Sequence, residues 1–156
     1  MRAWMLPAGS DGFDKLFEET LPDPEPGPGE VVVSMKAWSI NYRDFAVAAG
    51  KYFGGALKQA AVPLSDGAGE VVAVGDGVTS VRPGDKVQSS FFPHWVEGPP
   101  RMGPALGDGI SPGMLAELVV LPASGVVPIA GNLSYAQAAC MPCAGVTAWN
   151  ALHEGP

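Results

Sequence analysis

The stretch from Val62 to Val87, V-P-L-S-D-G-A-G-E-V-V-A-V-G-D-G-V-T-S-V-R-P-G-D-K-V, most constrains what this chain can fold into. Val71, Val72, Val74, Val78 and Val81 suit strands, because β-branched side chains pack well on a pleated surface. Gly67, Gly69, Gly75 and Gly77 allow tight turns and close approach of another backbone or a ligand. Pro83-Gly84-Asp85 has the composition of a turn that delivers Lys86-Val87 into the next strand.

The same alternation of apolar runs and breakers extends over the chain. Arg2 to Leu6 and Phe13 to Thr20 read as an opening hairpin around the loop 7–12. The proline-rich run L-P-D-P-E-P-G-P-G at 21–29 cannot be regular structure. Glu30 to Ser39 is a strand, and Asn41 to Ala49 a short helix stopped by Gly50. A loop over 51–61 precedes the central stretch. Lys86 to Phe92 forms a further strand, and Pro93 to Gly113 a long irregular segment of the kind that is usually functional or mobile. Met114 to Leu121 and Gly125 to Ile129 are strands. Ser134, with Gln137 three residues on, opens a helix through a capping box. Pro142 ends or kinks it, and a second helix runs from Cys143 to His153. Seven or eight short strands followed by helices make the fold mainly β, a closed or nearly closed barrel with a helical tail. The barrel is expected over 1–133 and the helical segment over 134–156.

With 156 residues the chain can bury a core. Its 21 glycines and 16 prolines follow no repeat, which fits many turns rather than low complexity. A formal charge of −7 argues against nucleic acid, since phosphate binding needs a basic face, and offers no polybasic anchor for a membrane. The N-terminus shows no signal-peptide pattern and no run of about 18 apolar residues occurs, so a cytoplasmic protein is expected. Cys140 and Cys143 form a C-x-x-C outside any βαβ context, and buried, inert thiols are the expectation. Asp44 is expected to cap local backbone. Glu97 and Asp108 are expected to be solvated, and His94 to be a surface residue. Trp95 either shapes a pocket or covers the core.

Taken together, S-I-N-Y-R-D at 39–44, D-G-A-G-E-V-V-A-V-G at 66–75, P-G-D-K-V at 83–87, M-L-A-E-L-V-V-L-P at 114–122 and A-A-C-M-P-C-A-G-V-T-A-W-N-A-L at 138–152 resemble one family. They are similar to the N-terminal, GroES-like catalytic domain of the medium-chain dehydrogenase/reductase superfamily. The resemblance implies a GroES-like, partly open β-barrel with C-terminal helices. In that family a Rossmann domain with a glycine-rich phosphate fingerprint follows, and no G-x-G-x-x-G after a strand occurs in this sequence. The expectation is therefore one half of an oxidoreductase, inactive alone, with the dinucleotide bound mainly by a further domain.

The resemblance also locates where zinc alcohol dehydrogenases of the family hold their metal. Asn41 stands at the first cysteine position, Ser65 followed by Asp66 at the His-Glu pair, and Cys143 at the last ligand. Two of three ligands are replaced by neutral oxygen-bearing side chains, so no zinc is expected. Asp66, Cys143 and His94 offer at most a weak site. That points to the zinc-independent, quinone oxidoreductase-like branch, in which NADP(H) or NAD(H) supplies the hydride. By matching positions, the resemblance implies Asn41, Tyr42 and Thr147 as catalytic residues and Asn41, Arg43, Tyr52 and Thr147 as cofactor-binding ones. Arg43 replaces the Thr or Ser relay of the zinc enzymes and is a candidate for a cofactor phosphate or for pairing with Asp44. The implied substrate is a small carbonyl or quinone, with a homodimeric whole protein and a monomeric fragment. The alternatives are a zinc-type alcohol dehydrogenase with atypical ligands and a stand-alone GroES-like binding module.

Overall fold

A computed structural model describes residues 1–99 and 103–153. The chain is mainly β, with two antiparallel sheets and short C-terminal helices. Strands β1 (Arg2–Met5) and β2 (Phe17–Thr20) form a two-stranded sheet. Strands β3 (Glu30–Ser39), β4 (Asp66–Val74), β5 (Lys86–Ser89), β6 (Leu118–Pro122) and β7 (Val126–Pro128) form a five-stranded one, ordered β6-β3-β4-β5-β7. The sheet does not close on itself, so the expected barrel is the partly open form. Helix α1 (Tyr42–Ala48) follows β3, and α2 (Tyr135–Ala139) and α3 (Val146–His153) end the described chain.

Period-2 alternation explains the sheet. Val31, Val33 and Met35 of β3 point into one core with Val71 of β4, Val87 of β5 and Leu121 of β6. Register slips between Val32/Val33 and Met35/Ala37 bend β3 across β4. Gly69 of β4 lies so close to the Ser34 carbonyl of β3 that a Cβ there would overlap it. Ala138 and Ala139 of α2 are fully buried against Ala68 of β4, so small residues let the helix sit directly on the sheet.

Several expected elements are shorter or different. Phe13 to Lys15 is a 3₁₀ turn, not strand, because Phe13 turns inward to pack on the core and Lys15 pairs with Asp11 at 2.7 Å. Val78 and Val81 lie outside any strand. Gly77 takes a left-handed φ of 79° and Gly75 presses against the Gly27 carbonyl, so the chain turns at 75–77. Val81 is nevertheless in the core, which accounts for its apolarity without a strand. The strand from Lys86 ends at Ser89 rather than Phe92, and Met114 to Glu117 precedes β6, joined to β1 by an isolated Ala3–Ala116 bridge and the Arg2–Glu117 ion pair at 2.7 Å. Between α2 and α3, Met141–Gly145 forms a π-helical turn, with Pro142 at its second position.

Candidate functional site

Four chain segments meet at one end of the five-stranded sheet, where its inner strands β3, β4 and β5 begin or finish. Ser39, the last residue of β3, pairs with Asp66, the first of β4. Ser89 ends β5 alongside, and the π-helical turn brings Cys143 across them. Asn41 leads from β3 into α1. The backbone N–H of Asn41 donates to Oδ2 of Asp44 at 2.8 Å, so Asp44 caps this helix as expected.

Leu64 sets the direction in which β4 starts. It is 2% exposed yet adopts a φ of 74°, a left-handed conformation that strains a non-glycine residue. Its carbonyl accepts the Met114 N–H at 2.9 Å, and Gly107 packs so tightly on the Leu64 backbone that a Cβ would overlap it. The irregular segment after Gly103 thereby holds the strained residue in place. Asp108 gives that segment its shape by accepting the N–H groups of Ala105, Ile110 and Ser111 at 2.8–2.9 Å. Asp108 is thus a loop organiser, not a solvated surface acid.

Past Leu64, the polar residues are buried and bonded to each other. Oδ1 of Asp66 accepts the Ser65 hydroxyl at 2.7 Å, and Oδ2 accepts the Cys143 N–H at 3.0 Å. The Ser89 hydroxyl donates to the Ser65 carbonyl at 3.1 Å and accepts the Gly67 N–H at 3.3 Å. Burial pushes the carboxyl pKa values of Asp44 and Asp66 up. At Asp44 the Asn41 N–H bond and then Arg43 oppose the shift, and at Asp66 the Ser65 hydroxyl is the largest opposing influence. The Asn41 side chain also faces Asp66 and favours its charged form, although its Nδ2 completes no hydrogen bond of standard geometry. The Cys143 thiol is pushed up by burial and then by the Asp66 and Asp44 charges.

Beside this cluster opens a cleft of about 330 Å³ lined by Ser89, Phe91, Trp95, Pro142, Cys143 and Thr147, among others. Its wall is largely apolar, with Val127 and Val146 adding to the aromatic rings. Trp95 is therefore a pocket residue rather than a cover for the core. Phe91 and Phe92 meet edge to face at 4.8 Å between centroids, and Phe92 meets Trp95 at 6.4 Å.

The expected site residues are placed unevenly. Thr147 lines the cleft, and Asn41 lies beside Asp66 but does not line it. Arg43 is buried, donating from Nη1 to the Leu106 carbonyl at 2.6 Å, with the Tyr52 ring 4.9 Å from its Cζ. Tyr42 is 89% exposed and does not line the cleft. His94 is at the surface, as expected. Cys140 is also exposed, against the expectation of a buried thiol, because it ends α2 on the solvent side, while Cys143 is half-buried. Ser89, Phe91 and Leu106 were missed. The inward alternation of Val87 and Ser89 along β5 was the one available signal for Ser89.

The donor set decides what could be held here. At the zinc-ligand positions stand a neutral amide, a hydroxyl and a thiol whose pKa is raised, and Asp66 already accepts two hydrogen bonds. Among the described residues no group of three or more His, Cys, Asp or Glu is placed to hold a metal ion. These residues do not fit a zinc centre. A nicotinamide or carbonyl acceptor fits better, because the cleft is apolar and Nδ2 of Asn41, which faces Asp66, is a buried donor that completes no hydrogen bond of standard geometry.

Residues 27–131 match the alcohol dehydrogenase GroES-like domain. A zinc-type alcohol dehydrogenase-like protein of Schizosaccharomyces pombe is 42% identical over 145 residues, covering 90% of this chain and 41% of that protein. A solved NAD-dependent alcohol dehydrogenase, 35% identical, superposes on 99% of this chain and 47% of its own, with a TM-score of 0.84. A quinone oxidoreductase of Pseudomonas syringae is 29% identical, with a TM-score of 0.76 over 99% of this chain and 41% of its own. The chain spans less than half the length of the curated relatives it matches first. Among the described residues no helix is long and apolar enough to cross a membrane. The matching domain over 27–131, together with the sheet end and cleft described above, makes this chain a member of the alcohol dehydrogenase GroES-like domain family of the medium-chain dehydrogenase/reductases.

Proposed function

We propose that the chain is the acceptor-binding part of an NAD(P)H-dependent oxidoreductase that works without zinc and reduces a quinone, an enone or a related carbonyl. The observation that carries this reading is the closed bonding of Asp66. Where zinc enzymes of the family begin their metal site, this chain ties the carboxylate to the Ser65 hydroxyl and the Cys143 N–H. A carboxylate used in that way holds the cleft's edge together.

The chain's own residues then have three tasks. The apolar wall of Phe91, Trp95, Val127 and Val146 excludes water and takes a flat acceptor. Asn41 donates from Nδ2 to an acceptor or carboxamide oxygen, and Thr147 bounds the face where a nicotinamide would lie. The dinucleotide, bound mainly by a domain outside these residues, supplies the hydride when present, and solvent supplies the proton. Substrate and nicotinamide thus exchange two electrons and one proton, with positioning as the protein's contribution. The whole protein is proposed to be a cytoplasmic homodimer assembled through the further domain.

The test follows NADPH oxidation by the complete polypeptide with 1,4-naphthoquinone and with an aliphatic enone. Turnover of at least one acceptor, reduced on the order of tenfold by Asn41→Ala through loss of a hydrogen bond, is expected. Absence of turnover with both acceptors contradicts the reading. A zinc-type alcohol dehydrogenase is the second reading, favoured by the adjacency of Asp66 and Cys143. Alcohol oxidation that depends on tightly held zinc would establish it instead.

A further inference from the structure

Arg43 belongs to α1 but makes its shortest contacts outside it. It is 9% exposed, and Nη1 donates to the Leu106 carbonyl at 2.6 Å. Its guanidinium contacts two rings, with Cζ 4.9 Å from the centroid of Tyr52 and 5.1 Å from that of Phe91. The ion pair with Asp44 is loose, at 3.4 Å. Three irregular segments, carrying Tyr52, Phe91 and Leu106, therefore converge on one side chain. Tyr52 continues to Phe53 at 5.0 Å, and Phe91 continues through Phe92 to Trp95. The result is a chain of tilted and edge-to-face ring contacts running from Phe53 to Trp95, with the cation in the middle and Phe91, Phe92 and Trp95 in the cleft wall.

A buried guanidinium suits this position because it is planar and weakly hydrated, so it can sit over aromatic rings while its edge donates hydrogen bonds. A lysine ammonium has neither the plane nor the fork. Nε and Nη2 of Arg43 find no partner among the described residues, so the contacts with the two rings, rather than a full set of hydrogen bonds, hold the group.

We infer that Arg43 is a specificity-determining positioning residue: by holding Phe91 against its guanidinium, it fixes the aromatic wall of the cleft and favours planar acceptors over branched ones. This rests on the acceptor binding in that cleft, as proposed above. It assigns Arg43 to the acceptor's wall rather than to a cofactor phosphate.

The experiment uses the complete polypeptide with Arg43→Lys, Phe91→Leu and the double variant. KM and kcat are read for 1,4-naphthoquinone, a branched aliphatic enone and NADPH. Arg43→Lys should raise KM for the naphthoquinone on the order of tenfold, the scale of desolvated cation–π contacts, with little change in KM for NADPH. The enone should be affected less. If the two residues act through one another, the double variant loses no more than Phe91→Leu alone. A rise in KM for NADPH without one for the quinone would overturn the proposal in favour of a phosphate contact. In parallel, ¹⁹F NMR of fluorophenylalanine-labelled protein follows the Phe91 ring, assigned by its disappearance in Phe91→Leu. A shifted or broadened Phe91 signal in Arg43→Lys is expected, and an unchanged one overturns the inference. That readout needs no turnover, so it separates failure of this inference from failure of the proposed activity.

Discussion

The backbone N–H of Cys143 donates to Oδ2 of Asp66 at 3.0 Å, joining residues 77 positions apart. That single bond fastens the π-helical turn before α3 to the first residue of β4. It also sets the cleft's position, because Cys143 and Thr147 line it from one side and Ser89 and Phe91 from the other.

Asp66→Ala should leave the Cys143 N–H and the Ser65 hydroxyl without their acceptor. The expected cost is about 1–3 kcal/mol of stability, the scale for an orphaned buried group. Asp66→Asn keeps one acceptor oxygen and should cost less. Urea unfolding of the two variants checks the order.

Asp44 and Asp66 also give stability a pH dependence of definite sign. Their folded pKa values lie above the unfolded ones because burial disfavours the charged form. Their contribution is therefore fully present below about pH 3.9, the unfolded value, and is lost as pH rises through the folded value. The stability of the wild type minus that of Asp66→Asn should fall as pH rises from about 4 toward neutrality. Urea titrations at several pH values test this, and a difference that grows with pH contradicts the burial argument.

Gly107 and Gly9 share a left-handed backbone, with φ of 68° and 67°, but not surroundings. Around Gly9 nothing lies within 4 Å of an added Cβ, whereas at Gly107 the Leu64 backbone fills that space. Gly9→Ala should cost only the conformational penalty, about 1–2 kcal/mol. Gly107→Ala should cost about 1–3 kcal/mol more through overpacking. Equal costs in thermal unfolding would show that the segment around Gly107 does not brace Leu64.

The parts legible in the sequence were those with local causes. The strand over 30–39 announced itself by β-branched residues, and the capping box of Ser134 and Gln137 is formed, with the Gln137 N–H donating to the Ser134 hydroxyl at 3.3 Å. Asp44 as a cap was equally readable. Val78 and Val81 misled because apolarity reports burial, and Val81 is buried by a turn segment rather than by a strand. The site was half visible: the replaced ligand positions could be read, but not what their side chains bond to. No local pattern predicts that Arg43 lies over the rings of Tyr52 and Phe91, 9 and 48 residues away in sequence, or that a leucine takes the strained turn into β4. Both depend on segments without periodicity.

The most direct test of the central claim is metal content measured beside activity on the complete polypeptide. NADPH-dependent reduction of a quinone or enone should survive exhaustive treatment with a chelator, in protein carrying no stoichiometric zinc. Tightly bound zinc at one per chain, with activity lost on its removal and restored on its return, would contradict the account.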